Sequence, residues 1–145
     1  MTDYRVLVTG PRDMPSPAPV WSALNDAQHE ALTTGRRLVV IHGSCRSGAD
    51  HHAHTWLMTA NQFVKSIDEE SYPAEDFGSW PQCGPIRNAH MVNLGADHCD
   101  AFMAPCTRRR CRRPQPHNTH GTSDCANRAE AAGIPIRRIT IKEQP

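Results

Sequence analysis

The sequence contains no run of about 20 apolar residues, the length that an α-helix needs to cross a membrane. Its first residues, MTDYRVLV, carry an acid and lead directly into an apolar run, so we expect neither a signal peptide nor a membrane anchor. Aromatic residues make up only 6% of the chain, and the net charge is only +1. With a mean hydropathy of −0.60, these values predict a soluble, cytoplasmic protein.

Two common nucleotide-binding motifs are also missing. The sequence has no G-x-G-x-x-G and no G-x-x-x-x-G-K-[ST], which excludes classical NAD-dependent oxidoreductases and P-loop NTPases. Six cysteines are present, and in a chain without an export signal we expect free thiols or metal ligands rather than disulfides.

Apolar runs alternate with helix-like segments along the chain. The runs predict five strands, in the order YRVLVTG, RRLVVIHG, FVKSIDEES, CDAFMAP and IRRITI. Apolar residues three or four positions apart predict four helices between them. The residues expected to face inward on the first helix are Val20, Leu24, Ala27 and Ala31. On the third helix, GPIRNAHMVNLGAD, they are Ile86, Met91 and Leu94.

Strands that alternate with helices usually pair in parallel through right-handed crossovers. The sequence therefore predicts one α/β domain over residues 1–145, with a mostly parallel sheet of about five strands covered on both faces. The segments TGPRD, HGSCRSGAD and a Cys- and His-rich stretch after DAFMAP each follow a predicted strand. Because such sheets bind ligands at the carboxyl ends of their strands, we expect these segments to share one site.

The segment HGSCRSGAD, residues 42–50, has the composition of an anion-binding turn. Its glycines let backbone N–H groups approach a phosphate, the following helix offers its amino terminus, and Arg46 can bond two phosphate oxygens. Asp50 suits a ribose hydroxyl or, equally, the first turn of a helix. The same glycines also fit a tight turn without a ligand, and this alternative stays open.

The other side chains near this turn give weaker indications of function. Cys45 lies beside a helix amino terminus, a setting that lowers the pKa of a thiol, although we expect a packing role for it. His42 suits either chemistry or the orientation of a backbone group. We expect His51, His52 and His54 to lie at the surface or in turns.

Residues 104–120 interrupt the alternation with an insertion rich in Pro, Arg, Cys and His. A loop of roughly 16 residues without its own core needs a reason to be ordered, and a metal would supply it. The alternative is a disordered, arginine-rich loop whose cysteines bind no metal. Two thiolates and two imidazoles form a suitable tetrahedral zinc set, with Cys125 as a further candidate. The predicted ligands are Cys106, Cys111, His117 and His120.

The segments VLVTGPRD, VVIHGSCRSGAD, GPIRNAHMVNLGAD and HGTSDCANRAEAAGIPI follow one another over nearly the whole chain. In this combination they resemble the YspA-like domains of the SLOG superfamily, which also contains the DNA-processing protein DprA and the cytokinin-activating LOG enzymes. The resemblance implies a Rossmann-like three-layer fold, a site for a nucleotide or nucleotide-derived ligand, and dimerisation through the helices. The ligand-binding residues that it implies are Gly10, Arg12, Asp13, Gly43, Ser44, Arg46, Gly48, Ala49, Asp50, Arg87, Asn88, Gly121 and Thr122.

The chain departs from the LOG enzymes at their catalytic glutamate. Those enzymes carry PGGxGTxxE, whereas HGTSDC has Cys125 in place of the glutamate. Asp124 lies one residue earlier, about 100° away around a helix. We therefore expect no catalytic residue. The name lysine decarboxylase, sometimes given to this superfamily, also finds no support, because nothing in the sequence suggests a pyridoxal site.

The sequence thus favours a nucleotide sensor or sequestering module, over which zinc holds the insertion as a lid. Phosphate would be neutralised by Arg12, Arg46 and Arg87. Ribose hydroxyls would donate hydrogen bonds to Asp13 or Asp50. One alternative is LOG-like hydrolysis of an N-glycosidic or phosphate bond in the same pocket. Another is DprA-like binding of single-stranded nucleic acid by the arginines of the insertion, against which the low net charge and few aromatics argue.

Overall fold

Helices and strands alternate as predicted over residues 2–63 and 67–141, which the computed structural model describes. The strands are β1 (Asp3–Thr9), β2 (Arg37–His42), β3 (Asp68–Ser71), β4 (His98–Met103) and β5 (Ile136–Thr140). The α-helices are α1 (Ala18–Thr33), α2 (Gly48–Ala60), α3 (Cys83–Asn93) and α4 (His120–Ala131), with a short 3-10 helix (Ala74–Phe77) before α3.

All strand pairs of the sheet are parallel, and the strand order is β3-β2-β1-β4-β5. From β1 the chain proceeds outward to β2 and β3, then crosses back to place β4 on the other side of β1. In open α/β sheets, ligands bind at the carboxyl ends of the strands where the order reverses in this way. The predicted three-layer α/β fold is confirmed, and its reversal point lies between β1 and β4.

The strands contribute to two apolar layers, because successive side chains of a strand point to opposite faces. Val6 and Val8 of β1 pack with α1 and α2, whereas Leu7 packs with α3 and α4. In β2, Val40 packs with α1 and α2, and Ile41 packs with α3 and α4. Since both faces of the sheet are covered, these strands are apolar throughout instead of alternating with polar residues.

The predicted inward face is right for α1 and partly wrong for α3. All four predicted residues of α1 are buried. In α3, Met91 is buried, but Ile86 and Leu94 are 50% and 44% exposed. The inward stripe of α3 instead includes Arg87 and Asn88, whose polar groups bond to neighbouring elements, and Leu94 lies past the last helical residue. Among the described residues, none of the helices is long and apolar enough to span a membrane.

The third strand is shorter than the predicted segment FVKSIDEES. It covers Asp68–Ser71 at one edge of the sheet, while Phe63 lies in a turn and is 81% exposed. Residues 64–66 of the predicted strand lie outside the described residues. A short, acidic strand suits a sheet edge, because charge opposes pairing with another chain.

The insertion joins β4 to α4 and begins with a short two-stranded stem. Pro105 and Asn118 form an antiparallel bridge. The N–H of Cys106 donates to the carbonyl of His117 at 2.7 Å, and the N–H of Thr119 donates to the carbonyl of Ala104 at 2.9 Å. Beyond the stem, side chains 107–116 are exposed or half-buried. The turn of the insertion therefore has little apolar packing of its own.

Candidate functional site

A cleft of about 1380 Å³ opens at the carboxyl edge of the sheet. The loop after β1, the start of the insertion and the first turns of α3 and α4 line it, so it lies at the reversal point of the sheet. The predicted ligand-binding residues that line the cleft are Gly10, Arg12, Asp13, Gly43, Asp50, Arg87, Asn88, Gly121 and Thr122. The predicted residues outside this lining are Ser44, Arg46, Gly48 and Ala49.

The amino terminus of α2 is occupied by the protein's own backbone. Gly48 has a φ of +73°, and a Cβ there would overlap the carbonyl oxygen of Pro11. The next N–H, from Ala49, donates to this same oxygen at 3.1 Å. The glycine therefore permits close docking of the β1 loop on α2. This contact uses a donor that the sequence suggested for an anion, and Arg46 beside it is exposed.

Arg87 holds the strands and α3 together beneath the cleft. The residue is 8% exposed. Nη1 donates to the carbonyls of Gly43 at 2.6 Å and Tyr72 at 3.2 Å, and Nε donates to Oδ1 of Asn88 at 2.9 Å. A Cβ at Gly43 would overlap this guanidinium, which explains the glycine. Nη2 makes no hydrogen bond to the described residues, so it is the nitrogen still able to bind an anion.

Asn88 links α3 to the first turn of α4. Its Nδ2 donates to Oδ2 of Asp124 at 3.0 Å and, more weakly, to the carbonyl of Gly121 at 3.4 Å. Asp124 also forms an ion pair with Arg128 at 2.9 Å. Asn88 thus positions the wall of the cleft through groups of the protein itself, and its contact with a ligand stays a prediction.

The Cys45 thiol is unsuited to nucleophilic chemistry. Burial raises its pKa to about 11, and the nearby Asp50 carboxylate adds to the increase. The expected lowering of this pKa is therefore wrong, because burial and the Asp50 carboxylate outweigh the positive charges of Arg12 and Arg87. Asp50 accepts the N–H of Cys45 at 3.2 Å through Oδ2 and so supports the turn.

Arg12 and Trp80 form one side of the cleft's mouth. The Arg12 guanidinium lies over the indole, 5.1 Å from the ring centroid, and Trp80 is 52% exposed. Sequence reasoning does not single out Trp80, because a loop residue carries no periodic signal. A usable clue is an aromatic side chain in a Gly-, Ser- and Pro-rich loop directly before GPIRN, in a chain with few aromatics.

The start of α4 forms another wall of the cleft. Its first helical hydrogen bond runs from the N–H of Ser123 to the carbonyl of Thr119 at 3.0 Å, which leaves the preceding N–H groups without an intrahelical acceptor. Among the described residues no side chain caps this helix. Arg108 and Arg113 of the insertion line the same wall. Positive charge and free backbone donors therefore coincide here.

Comparison with known proteins identifies the family. Residues 4–64 match the YspA, cpYpsA-related SLOG family. Over 141 residues, the chain is 36% identical to the Gene 61 protein of Mycobacterium phage D29, an alignment that covers 97% of this chain and 98% of that protein. The chain belongs to this SLOG family. Membership suggests a nucleotide-related function, and the matched residues include both TGPRD and HGSCRSGAD.

In this SLOG protein, the residue at the LOG glutamate position lies outside the cleft lining. Cys125 is fully buried in α4, and burial raises its pKa to about 11. Asp124 lines the cleft, although its angular offset on the helix suggested that it points away. The buried stripe of α4 passes through Thr122 and Cys125, so position 124 falls on the rim of the cleft.

The four predicted zinc ligands of the insertion lie together. Their ligand atoms are all within 4.8 Å of one another, and we call Cys106, Cys111, His117 and His120 the insertion cluster. All six cysteines of the chain are free, and the buried Cys125 is not part of this cluster. Cys106 and His120 also line the cleft, so cluster and cleft share a wall.

A second group of close ligand atoms lies at the β3 edge of the sheet. This edge cluster consists of His42, His54 and Glu69. Oε2 of Glu69 is 2.8 Å from Nε2 of His42 and 2.8 Å from Nδ1 of His54. The Ser44 N–H donates to Nδ1 of His42 at 3.0 Å, so His42 orients the backbone of the turn. Burial raises the pKa of Glu69, but hydrogen bonds from the two histidines outweigh it and leave that pKa below its usual value.

Proposed function

We propose that the cleft binds a nucleotide or nucleotide-derived ligand and that the protein acts as a sensor or sequestering module for it. The observation that carries this proposal is that two unlike walls line one cleft. One wall carries the Arg12–Trp80 stack, and the other carries the uncapped start of α4 beside Arg108 and Arg113. Such walls complement the base and the phosphate of a nucleotide.

The phosphate group suits the α4 wall. Free N–H groups at a helix start and nearby guanidinium groups are the usual partners of phosphate oxygens in proteins. Arg108 and Arg113 are both exposed and so remain available to a ligand. The corresponding donor of α2 is already bonded to Pro11, which makes α4 the better phosphate site of the two.

The base and ribose suit the wall formed by Arg12 and Trp80. A base can stack on the exposed Trp80 indole or on the Arg12 guanidinium above it. Asp13 is exposed at the same mouth and can accept hydrogen bonds from ribose hydroxyls. Asp50 also lines the cleft, but one of its oxygens already accepts the Cys45 N–H.

The test is calorimetric titration with a panel of nucleoside mono- and diphosphates. We expect Trp80→Ala and Arg113→Ala each to weaken binding by roughly 10-fold or more, the effect of losing about 1.5–3 kcal/mol. The matched controls are Trp21→Ala on α1 and Arg109→Ala, which is exposed on the same insertion but outside the cleft lining. Equal losses in variants and controls, or no binding by any nucleotide, would contradict the proposal.

Hydrolysis in the same cleft is the competing function. Cys125 at the glutamate position is buried, which favours binding over N-glycosidic cleavage. We expect no base release above background when the protein is incubated with nucleoside monophosphates and followed by chromatography. Base release that disappears in Asp124→Asn would instead show that the protein is an enzyme. Its catalytic carboxylate would then lie one position before that of the LOG glutamate.

Nucleic-acid binding is a second candidate because all five arginines of residues 108–113 are exposed. Salt distinguishes it from nucleotide binding, since a protein that contacts several phosphates loses affinity steeply as salt rises. A single-stranded oligonucleotide should bind weakly if the cleft is specific for a nucleotide. If Arg109→Ala and Arg112→Ala weaken oligonucleotide binding and reduce its salt dependence, the insertion is a nucleic-acid surface. Dimerisation through the helices stays a prediction.

A further inference from the structure

The insertion cluster has the interatomic distances of a metal site. Sγ of Cys106 lies 3.6 Å from Nε2 of His120, and Sγ of Cys111 lies 3.4 Å from Nε2 of both histidines. Tetrahedral zinc, with Zn–S of about 2.3 Å and Zn–N of about 2.0–2.1 Å, separates such sulfur and nitrogen ligands by about 3.5 Å. The two Nε2 atoms lie 3.0 Å apart, against about 3.3 Å for that geometry.

The histidine tautomer also fits metal binding. Nδ1 of His117 is 2.8 Å from the carbonyl oxygen of Pro114. A carbonyl oxygen can only accept, so Nδ1 carries the proton and the lone pair of Nε2 points into the cluster. Metal-bound histidines usually have their second nitrogen fixed in this way. In His120 the same atom, Nε2, faces the two sulfurs.

Among the described residues, few contacts other than local hydrogen bonds, such as that from the N–H of Cys111 to the carbonyl of Arg108 at 3.1 Å, order the turn of the insertion. Backbone hydrogen bonds hold the stem, where the side chain of Cys106 is buried. The arginines beyond the stem are exposed. Holding four polar side chains on one point costs conformational entropy and gains little from apolar burial. A bound ion would supply the missing stabilisation, as it does in other small metal-dependent loops.

We propose that Cys106, Cys111, His117 and His120 form a structural zinc site that fixes the insertion as one wall of the cleft. Two thiolates and two imidazoles neutralise and fully coordinate Zn²⁺, and such a closed set leaves no position for water. Because Cys106 and His120 also line the cleft, the ion sets the positions of Arg108 and Arg113 on that wall. The zinc site itself does not depend on which ligand the cleft takes.

The test uses the full chain purified without chelator. Native mass spectrometry and elemental analysis should find about one zinc per chain, the stoichiometry of a four-ligand structural site. After replacement with cobalt(II), the visible spectrum should show the d–d bands of a tetrahedral ion and charge transfer from thiolates. Protein that folds with no bound zinc, takes up no stoichiometric zinc and gives no tetrahedral cobalt spectrum would overturn the proposal.

Variants then identify the ligands. Cys111→Ser and His117→Ala change half-buried residues of the insertion and should lower zinc affinity by more than 10-fold, the usual minimum for losing support at a metal site. Cys45→Ser and His54→Gln are matched controls outside the insertion cluster and should keep full zinc content. Circular dichroism checks that each variant is folded. Equal zinc loss in the controls would place the ion elsewhere.

Discussion

The edge cluster and the insertion cluster both gather ligand atoms within 4.8 Å of one another, yet their chemistry differs. In the edge cluster, the Ser44 N–H points at Nδ1 of His42. An N–H can only donate, so a neutral His42 carries its proton on Nε2, the atom that faces Glu69. In the insertion cluster, the carbonyl of Pro114 puts the proton of His117 on Nδ1 and frees Nε2.

The difference teaches that proximity alone does not make a metal site. The second ring nitrogen decides whether a histidine presents a proton or a lone pair to its neighbours. The edge cluster is therefore a hydrogen-bonded brace that joins β2, β3 and α2, with Glu69 accepting from two histidines. The insertion cluster presents lone pairs and thiols, which is the arrangement that a metal requires.

Removing zinc should have the largest effect. We expect a strong chelator to destabilise the protein by about 3 kcal/mol, which corresponds to a fall in Tm of roughly 6–12 °C for a domain of this size. Scanning calorimetry with and without chelator measures it. The variant Glu69→Gln should show the same fall, because His42 directs a proton rather than a lone pair at Glu69 and we expect no ion there. A melting temperature insensitive to chelator in both proteins would remove the contrast between the clusters.

Breaking the edge cluster should have a smaller effect that depends on pH. Glu69→Gln replaces two charge-assisted hydrogen bonds, those from His42 and His54, and should cost about 1–2 kcal/mol near pH 7. The folded-state pKa of Glu69 lies below the ordinary pKa of a glutamate, so its stabilisation is present above that ordinary value. It is lost as the pH falls through the folded pKa. Urea unfolding of the unmodified protein and Glu69→Gln measures this effect. The difference between their free energies of unfolding should be smaller at pH 3 than at pH 7.

The insertion cluster should also influence the cleft. Loss of the ion in Cys111→Ser frees Arg108 and Arg113, so we expect nucleotide affinity to fall roughly fivefold, at the lower end of coupling between two sites. Calorimetric titration of Cys111→Ser, with Glu69→Gln as the control, measures it. An unchanged affinity in zinc-free Cys111→Ser would leave zinc binding intact as a proposal and separate it from ligand binding.

The smallest effect is expected at Arg46, in the turn that His42 supports. The sequence predicts a phosphate contact for this residue, but its side chain is exposed and outside the cleft lining. Arg46→Ala should therefore change nucleotide affinity by less than about twofold, within the range of ordinary surface substitutions. A loss as large as that of Arg113→Ala would show that the ligand extends over the glycine turn.

Much of the fold follows from short-range patterns. Apolar runs and helical spacing are local properties, so the strands and the inward face of α1 can be predicted from neighbouring residues. The ligand set of the insertion cluster can also be predicted from the sequence, because its cysteines and histidines are closely spaced. Its metal content is still a prediction.

The features that the sequence does not reveal depend on distant partners. Arg87 is buried in α3 because carbonyls of Gly43 and Tyr72 accept its hydrogen bonds, and no local pattern encodes those partners. The docking of Pro11 on α2 and the stack of Arg12 on Trp80 are of the same kind. A prediction from apolar spacing therefore places Ile86 in the core, because the spacing contains no information about the buried acceptors of Arg87.

The stem of the insertion has a consequence for how an ion would enter. Backbone hydrogen bonds of the stem hold Cys106, and helix α4 holds His120, with the two ligand atoms 3.6 Å apart. His117 is held by the same stem, because its carbonyl accepts the Cys106 N–H, so an arriving ion would meet three positioned ligands and Cys111 would bind last. Release would begin at Cys111, and the Rossmann-like layers would stay folded. Zinc occupancy would therefore follow the supply of zinc even after the domain has folded.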